Sequence, residues 1–257
     1  MCWTRVGIAA VLAGSIAIAA SSSARAEPLV ISYQGQAPQN YKPGKKLPAN
    51  QSLTLKPGEV LTVLDERGTR TLRGPGVFST SSAANAGSVT PASLMNLVKT
   101  TPARRARTGA VRGTPGAATP TNSPNLWFID IRKSATVCVA DFANVRLWRP
   151  DIAEPQSVVA SSLTASGLTS SGAASFLKGQ STAPWPNQVA PIDGGRYSLT
   201  GLAKSSPTTI TMVQIKVAGT EVLVELASAL LDKGCQSQAE LLAATFAQGA
   251  ATANPRG

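Results

Sequence analysis

The sequence predicts a mainly β protein. It would combine a small N-terminal β-barrel or sandwich, a flexible linker, and a C-terminal β-sandwich with an αα-hairpin. Short runs rich in Val, Ile, Leu and Thr alternate with turn residues in two stretches of the chain. A basic stretch rich in Ser, Ala, Thr, Pro and Gly separates them, and the apolar spacing becomes helical after residue 219.

Residues 1–26 have the parts of a secretory signal peptide. Arg5 precedes a 14-residue apolar run at 7–20, and Ala24-Arg25-Ala26 is a small-x-small cleavage pattern. A membrane helix needs about 20 apolar residues, so cleavage is favoured over the alternative of an uncleaved anchor. We therefore expect export to the periplasm and a mature chain without a transmembrane span.

The expected mature chain is strongly basic. The full sequence has 24 Lys and Arg against 13 Asp and Glu, and the signal holds two of the basic residues and no acidic one. This leaves 22 against 13, a net charge of +9. Such a surplus favours an anionic polymer, a membrane surface or an envelope protein as the partner, and nucleic acid is not expected outside the cytoplasm.

Two cysteines, Cys138 and Cys235, follow the signal, and the chain has no histidine. In an oxidising compartment the cysteine pair predicts one disulfide, with two buried free thiols as the alternative. Two thiolates fall short of the usual four zinc ligands. The lack of histidine excludes Ser-His and Cys-His nucleophiles and imidazole metal sites, so we expect no cofactor.

Residues 27–79 predict the N-terminal β-domain. The strand-like runs LVISY, QSLTL, VLTVL and TRTL are separated by two Lys-Pro-Gly turns. The DERG sequence at 65–68 indicates a hairpin turn, and GPG at 74–76 indicates a second corner. A phosphate-binding loop would instead lead from a strand into a helix, so we interpret this glycine-rich stretch as a turn.

Residues 80–125 predict a flexible, basic linker. Five Lys and Arg residues lie between 99 and 112, and the whole stretch has no acidic residue. Pro91, preceded by Thr90 as a cap, predicts one short helix in this stretch. The basic cluster would either tether the protein to an anionic surface or remain solvated.

Residues 126–218 predict the β-sandwich, from LWFIDI to TTITMVQIKV. Residues 219–249 predict a helical hairpin packed on the sandwich, with Cys235 at its corner, so that a bridge to Cys138 would fasten the hairpin to the sheet. The inward face is expected to carry Leu223, Leu226, Ala227, Leu230 and Leu231 on the first helix and Leu241, Leu242 and Phe246 on the second.

Catalytic patterns are weak in this sequence. Ser175 and Lys178 form a Ser-x-x-Lys string, but the stretch resembles a strand more than the helix start that serine–lysine chemistry uses. Paired carboxylates cleave glycosides without histidine, and the candidate is Asp130 with a second carboxylate, of which Asp193 is one. The other acids of this kind, Asp141 and Asp151, are expected in turns.

The candidate binding residues are basic side chains and one aromatic residue. Among the aromatic residues, Trp127, Trp148 and Tyr197 are expected to pack in the core, whereas Trp185 lies between two prolines and is expected to be partly exposed. The hairpin arginines are expected to be solvated and available to an acidic partner. The complete candidate set is Arg67, Arg70, Arg73, Arg104, Arg105, Arg107 and Trp185.

The stretch LTLKPGEVLTVLDERGTRTLRGPGVF resembles the FecR-like periplasmic β-domain. The likeness covers residues 28–79 and rests on a G-x-x-L-x-V-x-D-x-x-G-x-x-x-L pattern at Gly58, Leu61, Val63, Asp65, Gly68 and Leu72. It implies an exported sensor or wall-associated module. We expect the chain to depart from the membrane-anchored members that signal to sigma factors, because neither a cytoplasmic segment nor an internal membrane helix is expected in it. Its C-terminal half is similar to exported bacterial proteins without an assigned activity.

These observations favour a non-catalytic periplasmic binding, sensor or scaffold module for an anionic envelope polymer or an envelope protein. The alternative is a cell-wall or polysaccharide hydrolase that uses paired carboxylates.

Overall fold

The computed structural model describes residues 27–81, 91–98, 122–202, 206–217 and 223–251. For residues 91–93 and 248–251 it describes the backbone alone. The predicted signal peptide lies outside these residues. Strands dominate the described chain and three α-helices accompany them, so the predicted mainly β fold is confirmed.

The N-terminal region is a small sandwich of two sheets. One sheet has the order β1-β3-β4, and the other pairs β2 with β5. The strands are β1 Leu29–Gln34, β2 Ser52–Leu55, β3 Val60–Asp65, β4 Gly68–Arg73 and β5 Gly76–Ser79. Six buried aliphatic side chains fill the space between the sheets, as the alternation of strand residues requires: Val30, Leu47, Leu53, Leu55, Leu61 and Val63.

The corner between β4 and β5 depends on one glycine. A Cβ atom added to Gly74 would lie 2.0 Å from the Lys56 carbonyl oxygen, which no other residue tolerates. The Gly74 N–H donates to the Glu59 carbonyl at 2.9 Å. The corner is therefore packed directly against the turn between β2 and β3.

The C-terminal region is a larger sandwich. A five-stranded sheet has the order β10-β9-β12-β13-β7, and a three-stranded sheet has the order β11-β8-β6. The strands are β6 Phe128–Asp130, β7 Ala135–Val139, β8 Arg146–Trp148, β9 Gln156–Thr164, β10 Gly167–Phe176, β11 Thr182–Pro184, β12 Arg196–Thr200 and β13 Thr208–Gln214. Buried residues from both sheets, including Leu147, Phe176 and Tyr197, form one core between them.

Three α-helices join the two sandwiches. They are α1 Pro91–Val98, α2 Leu223–Asp232 and α3 Gln236–Ala251. Their apolar faces share a single core with Leu29, Ile31 and Leu64 of the N-terminal sheet and with Cys138 of β7. The helical hairpin thus packs on both sandwiches, whereas the sequence predicted contact with the C-terminal one alone. The inward face predicted for α2 and α3 is buried or packed against this core.

The predicted linker contains packed structure. Helix α1 begins at Pro91 as predicted, and Leu94, Leu97 and Val98 are buried in the shared core. The Trp127 indole N–H donates to the Val98 carbonyl at 2.7 Å, which fixes the end of α1. Residues 91–98 therefore belong to the folded body, and flexibility remains a prediction only for the segments around them.

The predicted disulfide is confirmed. Cys138 in β7 and Cys235 between α2 and α3 are bonded, with their Cα atoms 5.7 Å apart and 97 positions apart in the chain. Two glutamines near the start of α3 form further hydrogen bonds between this helix and the rest of the protein. Gln238 accepts from Cys138 N at 2.6 Å and donates to the carbonyls of Cys138 and Leu126 at 2.9 and 2.8 Å. Gln236 donates to the Ile31 carbonyl of β1 at 2.9 Å.

Candidate functional site

The DERG stretch forms the predicted hairpin turn. Asp65 pairs with Gly68 across the end of β3 and β4, so only two residues form the loop. Gly68 has a φ of 124°, which glycine adopts readily, and Arg67 N donates to the Asp65 carboxylate at 2.8 Å. The glycine therefore joins strand to strand, and the exposed Arg67 lies at the tip of the turn.

Arg70 does not lie in solvent, contrary to expectation. Its side chain is only 9% exposed, and its guanidinium donates to the carbonyls of Ser79 and Thr80 at 3.3 and 2.9 Å. Its Nε lies 3.6 Å from the Asp65 carboxylate. Strand alternation explains the error, because Arg70 faces the end of β5 whereas Arg73 is exposed. Arg70 has a structural role, and Arg67 and Arg73 remain available to a partner.

A second group of exposed basic residues was recognised in the sequence only as a turn. We name residues 41–46 the lysine loop, after Lys42, Lys45 and Lys46, which are all exposed. Gly44 N donates to the Val30 carbonyl at 2.8 Å, and Val30 N donates to the Lys45 carbonyl at 2.9 Å. These bonds fix the loop backbone along β1. The signal that could have identified it is the absence of any acidic residue between positions 28 and 58.

The first acidic residue after that stretch, Glu59, is buried and hydrogen-bonded. Its carboxylate accepts from Lys56 N and from the Tyr33 hydroxyl, both at 2.7 Å. These two bonds hold the pKa of Glu59 below its ordinary value. Burial, together with the bond to Glu59, raises the pKa of Tyr33. The centroid of the Tyr33 ring lies 5.2 Å from that of the Tyr41 ring. Because Tyr41 is the first residue of the lysine loop, the Glu59–Tyr33 network packs against one end of this loop.

The aspartates named as hydrolase candidates have structural partners. Arg132 donates to both Asp130 oxygens, at 2.9 and 2.7 Å. Asp193 accepts from Gln214 N at 2.7 Å. The turn residues Asp141 and Asp151 accept from backbone N–H groups two positions later, both at 2.9 Å. Each side chain thus stabilises local structure, as turn and ion-pair aspartates do.

Asp130 also lines a cleft of about 190 Å³ between α3 and the start of β7. The other carboxylate in its lining is Glu240 of α3, while Asp193 is not among the lining residues. Glu240 accepts from Gln236 at 2.9 Å. If two carboxylates act together in this protein, the geometry pairs Asp130 with Glu240, a partner that lies 110 positions later and that sequence spacing could not indicate.

The Ser-x-x-Lys string lies on a strand and the turn after it. Ser175 is an exposed residue of β10, and Lys178 follows the strand with its side chain 74% exposed. The Lys178 ammonium lies 3.8 Å from Glu154. The expected strand is confirmed, and these residues lack the helical turn that would bring lysine onto serine.

The prediction that Trp185 is partly exposed was wrong. Trp185 is 6% exposed, its indole N–H donates to the Val189 carbonyl at 2.6 Å, and its ring meets Tyr197 edge-on at 5.1 Å. Trp185 therefore belongs to the core of the C-terminal sandwich. Trp127, Trp148 and Tyr197 are buried as expected. Arg104, Arg105 and Arg107 lie outside the described residues.

No protein-family model matches the chain, and neither the curated proteins nor the solved structures include a match. Among the described residues, no group of three or more Cys, Asp or Glu side chains is placed to hold a metal ion. No helix in the described ranges is long and apolar enough to cross a bilayer.

Proposed function

We propose that the protein is a non-catalytic, periplasmic module that binds an anionic envelope polymer or an acidic envelope protein through its N-terminal half. The positive charge supports this, because it is concentrated there. Residues 27–81 hold seven basic and four acidic residues, and residues 82–121 hold five basic and no acidic ones. Residues 122–251 hold nine of each. The FecR-like pattern at 58–72 is consistent with this role.

The lysine loop is the central contact in this proposal. Its three ammonium groups lie within five residues on a backbone held by β1, so little backbone freedom would be lost on binding. Arg67, Arg73 and the arginines at 104–107 are the further basic residues proposed to contribute. Each lysine beside an anionic surface contributes about 1 kcal/mol, and salt weakens the attraction.

The test is cosedimentation of the mature protein with lipopolysaccharide and with phosphatidylglycerol vesicles at increasing salt concentration. Changing Lys42, Lys45 and Lys46 together to Gln should weaken binding by about 10-fold or more at low salt. The matched control changes three exposed basic residues of the C-terminal sandwich, Lys178, Arg196 and Lys216, to Gln. Equal losses in the two variants, or binding that salt does not weaken, would contradict the lysine-loop proposal.

A hydrolase is the second candidate, favoured by the two carboxylates in the cleft between α3 and β7. Incubation of the purified protein with peptidoglycan or acidic polysaccharide would then release soluble fragments. Asp130→Asn and Glu240→Gln should each abolish that release. Lack of turnover by the wild-type protein, or turnover unaffected by both substitutions, would remove this candidate.

A further inference from the structure

A second pocket lies in the C-terminal sandwich and is independent of the lysine loop. It has a volume of about 460 Å³, within the range of small-molecule sites. Its apolar lining comes from Ile131, Pro150, Pro155 and Leu202, and two arginines, Arg132 and Arg149, also line it.

Arg149 is the unusual residue of this pocket, because it is a buried cation without an acidic partner. It is 4% exposed and lies 5.0 Å above the Phe176 ring. Among the described residues no carboxylate forms an ion pair with it. Buried charges are normally paired, since removing an ion from water costs several kcal/mol.

The hydrogen bonds of Arg149 leave part of the guanidinium unused. It donates to the carbonyls of Gln180 and Leu177 at 3.2 and 3.1 Å and, at 3.5 Å, to the Gln156 side chain. A guanidinium has five N–H donors, and these three bonds leave two for a ligand. Two N–H groups on one guanidinium match the two oxygens of a carboxylate.

Neither acidic residue of the lining forms an ion pair with Arg149. Asp151 accepts from Ala153 N at 2.9 Å, and the largely exposed Glu154 faces Lys178. Arg132, which also lines the pocket, is paired with Asp130 and stacked 5.2 Å from the Trp148 ring. Among the described residues that line the pocket, Arg149 is therefore the arginine without an ion-pair partner, and it borders a largely apolar space.

We propose that this pocket binds a small organic carboxylate with an apolar body, and that Arg149 holds the carboxylate. A free peptide C-terminus and a sugar acid both present this group. The apolar lining favours a carboxylate attached to an aliphatic side chain over an inorganic anion, which would leave that lining without contacts.

Four probes test the site by isothermal titration and saturation-transfer NMR of the mature protein. They are N-acetyl-leucine, its neutral amide, glucuronate and inorganic phosphate. N-acetyl-leucine should bind about 10-fold or more tightly than the amide, because a hydrogen-bonded charge is lost in the latter. Tighter binding of N-acetyl-leucine than of glucuronate assigns the site to peptide termini, and the reverse assigns it to sugar acids.

Substitutions test whether the carboxylate binds in this pocket. Arg149→Met should abolish carboxylate binding. Because that change also removes three structural hydrogen bonds, Pro155→Trp provides a second test: Pro155 is exposed, and the larger side chain would fill the pocket. Leu168→Trp, at an exposed site at the start of β10 outside the pocket lining, is the matched control and should bind like the wild type. Equal affinity for acid and amide, phosphate binding as tight as either carboxylate, or unchanged binding by Pro155→Trp would overturn the proposal.

Discussion

The two sandwiches differ in how they are stabilised. The C-terminal one encloses seventeen buried residues between its sheets, whereas the N-terminal one encloses six. The smaller sandwich buries part of its apolar surface elsewhere: Leu29, Ile31 and Leu64 turn away from its own core and pack against the helices. Because the same helices are bonded to β7, the basic, small-cored half depends on the charge-balanced, large-cored half for its stability.

The largest effect should come from the link between α3 and β7. Replacing Cys138 and Cys235 together by Ser should lower the free energy of unfolding by about 4 kcal/mol, since the bridge closes a loop of 98 residues. Urea unfolding followed by circular dichroism measures this loss. Hydrogen exchange should then show faster opening of β1 and β3 than of β9 and β12. Uniform acceleration in all four strands would contradict the dependence of the N-terminal sandwich on the helices.

Leu64→Ala tests the same dependence from the other side. The residue is fully buried against the helices, and its truncation should cost about 3 kcal/mol. The tryptophans of the described chain, Trp127, Trp148 and Trp185, lie outside the N-terminal sandwich, so their fluorescence reports the rest of the body. We expect their urea midpoint to fall with that of β-sheet circular dichroism. An unchanged tryptophan midpoint would mean that the two sandwiches unfold independently.

Gln238→Ala should cost about 2 kcal/mol, because it leaves the buried N–H and C=O of Cys138 and the Leu126 carbonyl without their partner. Gln236→Ala is the matched comparison. It removes two bonds at a partly exposed site, to the Ile31 carbonyl and to the exposed Glu240 carboxylate, and should cost about 1 kcal/mol or less. Thermal melts of the two variants measure the difference, and an equal loss would refute the stronger role of Gln238.

The smallest effect concerns Glu59, whose folded-state pKa is depressed. The stability that its ionised form contributes is complete above the ordinary pKa of 4.5 and is lost as pH falls through the lower folded-state pKa. The melting temperature of the wild type should therefore fall relative to that of Glu59→Gln as pH decreases below about 4.5. Tyr33→Phe removes one bond to the carboxylate, so the folded-state pKa of Glu59 should rise towards its ordinary value and the loss of stability at low pH should become smaller. Parallel pH profiles for wild type and Glu59→Gln would contradict the assignment.

Local patterns predicted the elements of this fold. Alternating Val, Leu and Thr residues marked the strands of both regions, a proline at the first position marked α1, and two cysteines marked the bridge. The packing of these elements against one another was harder to predict from the sequence. The residues of β1 are apolar on both faces, which indicates burial on both sides but not the identity of the second partner. That α1 and the helical hairpin cover this face depends on contacts between residues far apart in the chain.

The candidate sites were harder to predict for the same reason. Arg70 and Arg73 are three positions apart and equally basic, yet only the strand register shows that one is half-buried and the other exposed. Folding brings Glu240 into the lining of the cleft that contains Asp130. It also brings Arg149 into hydrogen-bond contact with the turn at 177–180. The lack of histidine can be read directly from the sequence and limits the possible catalytic and metal sites. A buried cation without an ion-pair partner can be recognised only from the residues around it in the folded structure.

The two glutamines at the start of α3 have a geometric consequence. A helix turns by about 100° per residue, so side chains two positions apart project in nearly opposite directions. Gln236 reaches β1 and Gln238 reaches β7, so a single turn of helix sets the relative orientation of the two sandwiches. A molecule that bound both the proposed lysine-loop surface and the proposed Arg149 site would therefore meet them in the relative orientation that this turn of helix helps to set.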